Sequence, residues 1–109
     1  ASGLQLKDRD GKWLAIDSDP NSLIVDAGDM LARITNDVIP STTHQVVNPV
    51  AADGTDGGGH RYSMPYFIHP NPDAMLTCLP SCRAGGEKYA PITSQDFLFQ
   101  RLREIGLMK

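Results

Sequence analysis

Hydrophobic and polar positions alternate from the start of the chain. "LQLKD" and "KWLAID" flank the turn signal "DRDG", which predicts a hairpin with Leu4, Leu6, Leu14 and Ile16 on one face. The aspartates of this turn lack the full ligand series and the closing Glu of a calcium loop, so they read as turn chemistry. "SLIVDA" is a short continuous apolar run that predicts a strand. "GD" then opens a short helix, "DMLARIT", with Asp29 placed as its cap and Met30, Leu31 and Ile34 spaced for burial. β-Branched residues and Pro40 stop it early. "IPSTTHQVVNP" returns to strand, a glycine-rich loop covers 49–60, and "HRYSMPYFIHP" is the last strong strand. The proline-containing segment 70–92 reads as a surface excursion. "TSQDFLFQRLREIGL" predicts a capped amphipathic helix over 93–105, with Phe97, Leu98 and Leu102 on its apolar side.

Composition narrows the choices. With 109 residues, 40% hydrophobic and 21% charged, the chain is long enough for a single domain, residues 1–109. A domain of that size buries about 65% of the surface its unfolded chain exposes. A net charge of −3 gives phosphate-backbone attraction little to build on, which argues against nucleic acid. No apolar run approaches the roughly 20 residues needed to span a bilayer, and "ASGLQLKDRDGKW" is not a signal peptide. The expectation is a cytoplasmic protein with no membrane partner. Cys78 and Cys82, in "CLPSC", make neither a disulfide framework nor a zinc site and read as reduced thiols in a loop.

Few residues carry candidate chemistry. His44 alternates with Val46, so the two side chains share a face, expected to be inward. Such a histidine is either a hydrogen-bonded core residue or a metal ligand, and spacing alone favours the former. Arg61 and Ser63 also share a face. A guanidinium fork beside a hydroxyl suits a carboxylate, although a strand-end ion pair with one of the chain's own thirteen acids would use the same arginine.

Several unequal blocks occur in one order: "GLQ", "GKW", "GDML.R.TN", "ST.H.VVN", "RYS.P.F", "PNPDA" and "Y.PIT". In this the chain closely resembles the C-terminal half of the isopenicillin N synthase-like non-haem Fe(II), 2-oxoglutarate-dependent dioxygenases. The resemblance runs from Gly3 to the C-terminal helix. It implies a mainly β fold, part of a double-stranded β-helix or jelly roll, with a short internal helix and a C-terminal helix. It implies that His44 is the distal histidine of the two-histidine, one-carboxylate iron triad. By the same resemblance Arg61 and Ser63 bind the far carboxylate of 2-oxoglutarate, in strands of facing sheets joined by the loop 49–60. Asn36, Tyr62, Met64 and Phe67 are then scaffold or barrel packing.

The family's other histidine and its aspartate come from a His-x-Asp motif upstream of "GLQ". The three histidines here read "HQV", "HRY" and "HPN", and none fits that motif. The expectation is therefore a truncated piece of an oxygenase of small organic substrates, inactive by itself and holding neither Fe(II) nor 2-oxoglutarate stably. A noncatalytic half-barrel that serves association or binding is the alternative. Unpaired strand edges and an apolar inner face further predict a homodimer or higher oligomer.

Overall fold

A computed structural model describes residues 3–19, 21–48 and 62–109. The chain divides into two compact units, one drawn from Ala1–Asp26 and Thr42–Pro65, the other from Ala27–Ser41 and Tyr66–Lys109.

The first unit is built on an antiparallel sheet of β1 (Leu4–Lys7), β2 (Trp13–Ala15) and β3 (His44–Val46), in the order β2-β1-β3. The hairpin forms because Asp8 organises its turn. The Asp8 carboxylate accepts from the backbone N–H of Asp10 and Lys12, and the Gly11 N–H donates to the Asp8 carbonyl at 3.1 Å. Gly11 sits at φ +82°, the left-handed region in which glycine meets no Cβ penalty. Leu6 lies opposite Leu14 on one side and His44 on the other, while Leu4 lies opposite Val46. Directly opposed residues point to the same face, so Leu4, Leu6, Leu14, His44 and Val46 form one apolar surface. The other face carries Gln5, bonded to Gln45 at 2.8 Å, and Lys7 above the Trp13 ring.

The shared face of His44 and Val46 thus agrees with the alternation, but its expected burial does not: Val46 is 55% exposed and the His44 side chain 52% exposed. Residues 22–26 and 62–70 adopt no strand either. Leu23, Val25, Tyr62, Met64 and Phe67 are all largely exposed in this chain. A strand needs a neighbour for its N–H and C=O groups, and the described residues provide no ladder for these two segments. The loop 49–60 lies outside the described residues.

The second unit holds α1 (Asp29–Ile34), a two-stranded sheet of β4 (Met75–Leu76) and β5 (Ile92–Thr93), and α2 (Ser94–Glu104). The cap of α1 is Gly28, and Asp29 is instead its first helical residue, paired with Arg101 at 3.2 Å. The most covered position of α1 is Ala32 rather than the larger apolar residues, with Leu31 left 38% exposed. Ala32, Leu76, Cys78 and Phe97 are the buried apolar residues. Segment 70–92 therefore contributes core, not only surface: its prolines bracket an apolar pair, Leu76 and Cys78, that points inward. Cys78 and Cys82 are not joined, and Cys82 ends a 3-10 turn, Pro80–Cys82. In α2 the Thr93 hydroxyl accepts from the Asp96 N–H, a cap that stabilises such a helix by about 1 kcal/mol.

Both helices end in the same way. After α1, the Asn36 N–H donates to the Arg33 carbonyl and the Asp37 N–H to the Ala32 carbonyl, with Asn36 at φ 54° and Asp37 at φ 65°. After α2, the N–H groups of Gly106 and Leu107 donate to Arg103 and Leu102. This paired closure uses up carbonyls that the last turn leaves without partners. Asn36 is buried and fully bonded: its amide donates to the carbonyls of Cys82 and Gly86 at 3.1 and 2.9 Å, and its side-chain oxygen accepts from the Lys88 N–H at 2.9 Å. This is the scaffold role expected of it.

Asp37 accepts from Lys88 Nζ at 3.0 Å and from the Tyr89 hydroxyl at 2.9 Å. The hydrogen bond from Lys88, then that from Tyr89, hold its carboxyl below the usual aspartate value. A depressed folded-state value contributes stability above the unfolded pKa of about 4, and that contribution is lost as pH falls through the depressed value. Asp37→Asn keeps a side chain that tolerates positive φ. The stability gap between wild type and Asp37→Asn, measured by urea unfolding, should be present near neutral pH and close as the pH falls through the depressed value. A gap that stayed constant across that range would refute the assignment.

Candidate functional site

His44 opens β3, where register fixes its position: it faces Leu6, while the neighbouring Thr43 carbonyl accepts from the Lys7 N–H at 2.9 Å. Its ring is held at one nitrogen. Nδ1 lies 3.1 Å from Asp26 Oδ2 and 3.2 Å from the Thr42 carbonyl oxygen. Both oxygens accept hydrogen bonds, so these contacts are satisfied by the tautomer protonated on Nδ1, in which Nε2 keeps its lone pair. An imidazole nitrogen with an available lone pair is a suitable ligand for a first-row metal, and among the described residues Nε2 has no hydrogen-bond partner. Asp26 was not singled out by sequence reasoning. Its signal was present in "SLIVDA", where one carboxylate interrupts an apolar run.

The remaining candidates are less defined. Ser63 is exposed and belongs to the same unit as His44. Arg61 lies outside the described residues. Among the described residues no group of three or more His, Cys, Asp or Glu side chains is placed to hold a metal ion. His44 therefore fits one coordination position of an Fe(II) site, and the described residues do not complete the set. Among them no helix is long and apolar enough to cross a membrane.

The second unit contains a cleft of ≈ 320 Å³ lined by Asp29, Arg33, Asp37, Tyr89, Phe97 and Arg101 among others. The Arg33 guanidinium lies 5.0 Å from the Tyr89 ring centre and 5.1 Å from that of Phe97, and it donates to the Ala90 carbonyl. Arg101 covers Phe97 as well, at 5.2 Å. The acids are paired within the cluster, Asp29 with Arg101 and Asp37 with Lys88. These contacts join α1, the Tyr89 segment and α2, which is a packing role.

Residues 1–70 match the family model of the 2OG-Fe(II) oxygenase superfamily. Over 99 residues the chain is 38% identical to a 2-oxoglutarate-Fe(II) type oxidoreductase of Emericella nidulans, covering 88% of this chain and 26% of that protein. Among solved structures, it resembles a protein of Caulobacter crescentus described as of the 2OG-Fe(II) oxygenase family. Identity there is 45% and the TM-score 0.84, over 95% of this chain and 34% of that one. A full-length Neurospora crassa protein solved in complex with α-ketoglutarate is 34% identical with a TM-score of 0.77, over 94% of this chain and 31% of that one. The chain thus spans about a quarter to a third of the length of these relatives. With a family model matching residues 1–70, more than half of its length, the chain belongs to the 2OG-Fe(II) oxygenase superfamily.

Proposed function

We propose that this chain is the distal part of the catalytic barrel of an Fe(II)- and 2-oxoglutarate-dependent oxygenase that oxidises a small organic molecule. His44 supplies one iron ligand through Nε2, and Arg61 with Ser63 clamps the far carboxylate of 2-oxoglutarate. The observation that carries this reading is the state of His44, set among Leu4, Leu6, Leu14 and Val46 with Nδ1 engaged and Nε2 open. Bound Fe(II) would supply dioxygen activation coupled to decarboxylation of the keto acid.

The chain's own groups then have separable tasks. The guanidinium fork of Arg61 donates two parallel hydrogen bonds to a carboxylate and the Ser63 hydroxyl a third, which orients the cosubstrate along one direction. In a protein of the relatives' length, covering the apolar side chains around His44 would exclude water from that side of the site. The remaining ligands and the substrate-contacting residues belong to the rest of a protein of the relatives' length, where the strands of both halves close the jelly roll.

Two variants in such a full-length protein test the assignment. Arg61→Lys keeps the charge and loses the fork, so the 2-oxoglutarate concentration needed for half-maximal turnover should rise by about tenfold or more, with iron content unchanged. His44→Ala should do the reverse and lose iron. If Arg61→Lys lost iron while 2-oxoglutarate dependence stayed as in wild type, the roles would be wrongly assigned.

A further inference from the structure

Resting on the reading of His44 as a ligand, we propose that Asp26 is its positioning residue: the Asp26 carboxylate holds the ring proton on Nδ1 and so presents Nε2 as the donor atom. Histidine has two neutral forms, and only the one protonated on Nδ1 offers Nε2 to a metal. What selects between them is the partner of the other nitrogen. Here Nδ1 faces Asp26 Oδ2 at 3.1 Å and the Thr42 carbonyl at 3.2 Å, and neither can donate. The Thr42 carbonyl is local to the strand and restrains the ring from its own backbone. Asp26 reaches His44 from the other end of the segment 26–44, and fixes the ring plane with respect to a second piece of chain.

The contact is poorly explained as a device for stability. The side chains of His44 and Asp26 are 52% and 35% exposed, and ion pairs in that setting contribute little. Asp26 also ends an otherwise apolar run, where a carboxylate contributes nothing to packing. A charge-assisted acceptor on a ligand's second nitrogen instead restricts ring rotation and raises the basicity of the donor nitrogen, effects that persist at a half-exposed site.

The test reads the tautomer directly and needs no metal. In the 109-residue chain, ¹⁵N-labelled at histidine and held in mildly alkaline solution to select the neutral ring, long-range ¹H–¹⁵N correlation spectra separate protonated from unprotonated ring nitrogens. Wild-type His44 should show a pyrrole-type Nδ1 and a pyridine-type Nε2. In Asp26→Ala the ratio of the two tautomers should fall by about two- to fivefold, because a half-exposed charge-assisted bond is replaced by the Thr42 carbonyl alone. Asp26→Asn, which keeps an oxygen acceptor in the same place, should retain the wild-type form. A wild-type His44 protonated on Nε2, or an unchanged ratio in Asp26→Ala, would overturn the proposal. Since iron takes no part, that failure is distinct from failure of the ligand reading, which is judged by the iron content of His44→Ala.

Discussion

Titrated with Fe(II) and 2-oxoglutarate under anaerobic conditions, the 109-residue chain by itself is expected to develop no visible charge-transfer band and, on admission of oxygen, no turnover. The band arises when the keto acid chelates an iron that protein ligands already hold. One imidazole cannot retain Fe(II) against water and buffer, and the described residues bring no three His, Cys, Asp or Glu side chains together to hold it. The other two histidines, His60 and His69, occur as "HRY" and "HPN" and do not supply a His-x-Asp pair. The effect is all-or-none, which makes it easy to read. A stoichiometric band that disappears in His44→Ala would show that the chain completes a site without any further residues, and the account of it as one part of a barrel would fall.

At micromolar concentration the isolated chain should scatter light as a dimer or a larger species. Leu23 is 93% exposed, Val25 91%, Met64 97% and Ile68 83%, far more apolar surface than a monomeric protein of this size ordinarily leaves in water. Each such side chain gains about 1.5–3 kcal/mol when fully buried, so covering all four on both copies contributes about 12–24 kcal/mol, against a cost of roughly 4–15 kcal/mol for joining two copies. Their segments, 22–26 and 63–70, are also without strand pairing in the described residues and can supply hydrogen-bonding edges to a second chain. Light scattering that returns a dispersed, folded species of 11.8 kDa would contradict this, because it would require the same side chains to find cover within one copy.

Local signals in the sequence were legible wherever the structure needed no distant partner. The hairpin follows from Asp8 and Gly11, and the C-terminal helix from Thr93 and Asp96, since turns and caps are interactions between near neighbours. The face of His44 was readable from alternation alone. Burial was not, because alternation says which residues share a side but not what lies against it. The strands expected at 22–26 and 62–70 failed for that reason: high β propensity requires a neighbour that sequence pattern cannot supply. Segment 70–92 misled in the opposite direction. Its prolines and glycines resemble a surface loop, yet Leu76 is 4% and Cys78 7% exposed, and nothing local distinguishes a loop that crosses the core from one that passes outside it. Asp26 escaped notice because its partner is far along the chain and acidic residues at strand ends are commonplace.

The bonds made by Asn36 have a consequence for how the chain can vary. All its contacts in the 82–88 segment are to main-chain atoms, the carbonyls of Cys82 and Gly86 and the N–H of Lys88. One side chain outside that loop therefore fixes its main chain at three points, independently of the loop's own side-chain pairs, Arg83 with Glu87 and Lys88 with Asp37. Gly85 and Gly86, at φ +89° and +98°, are restricted in their own right, since other residues adopt that backbone only with strain. Substitutions that leave these backbone groups in place keep the three attachments, whereas loss of the single amide at position 36 removes all three at once.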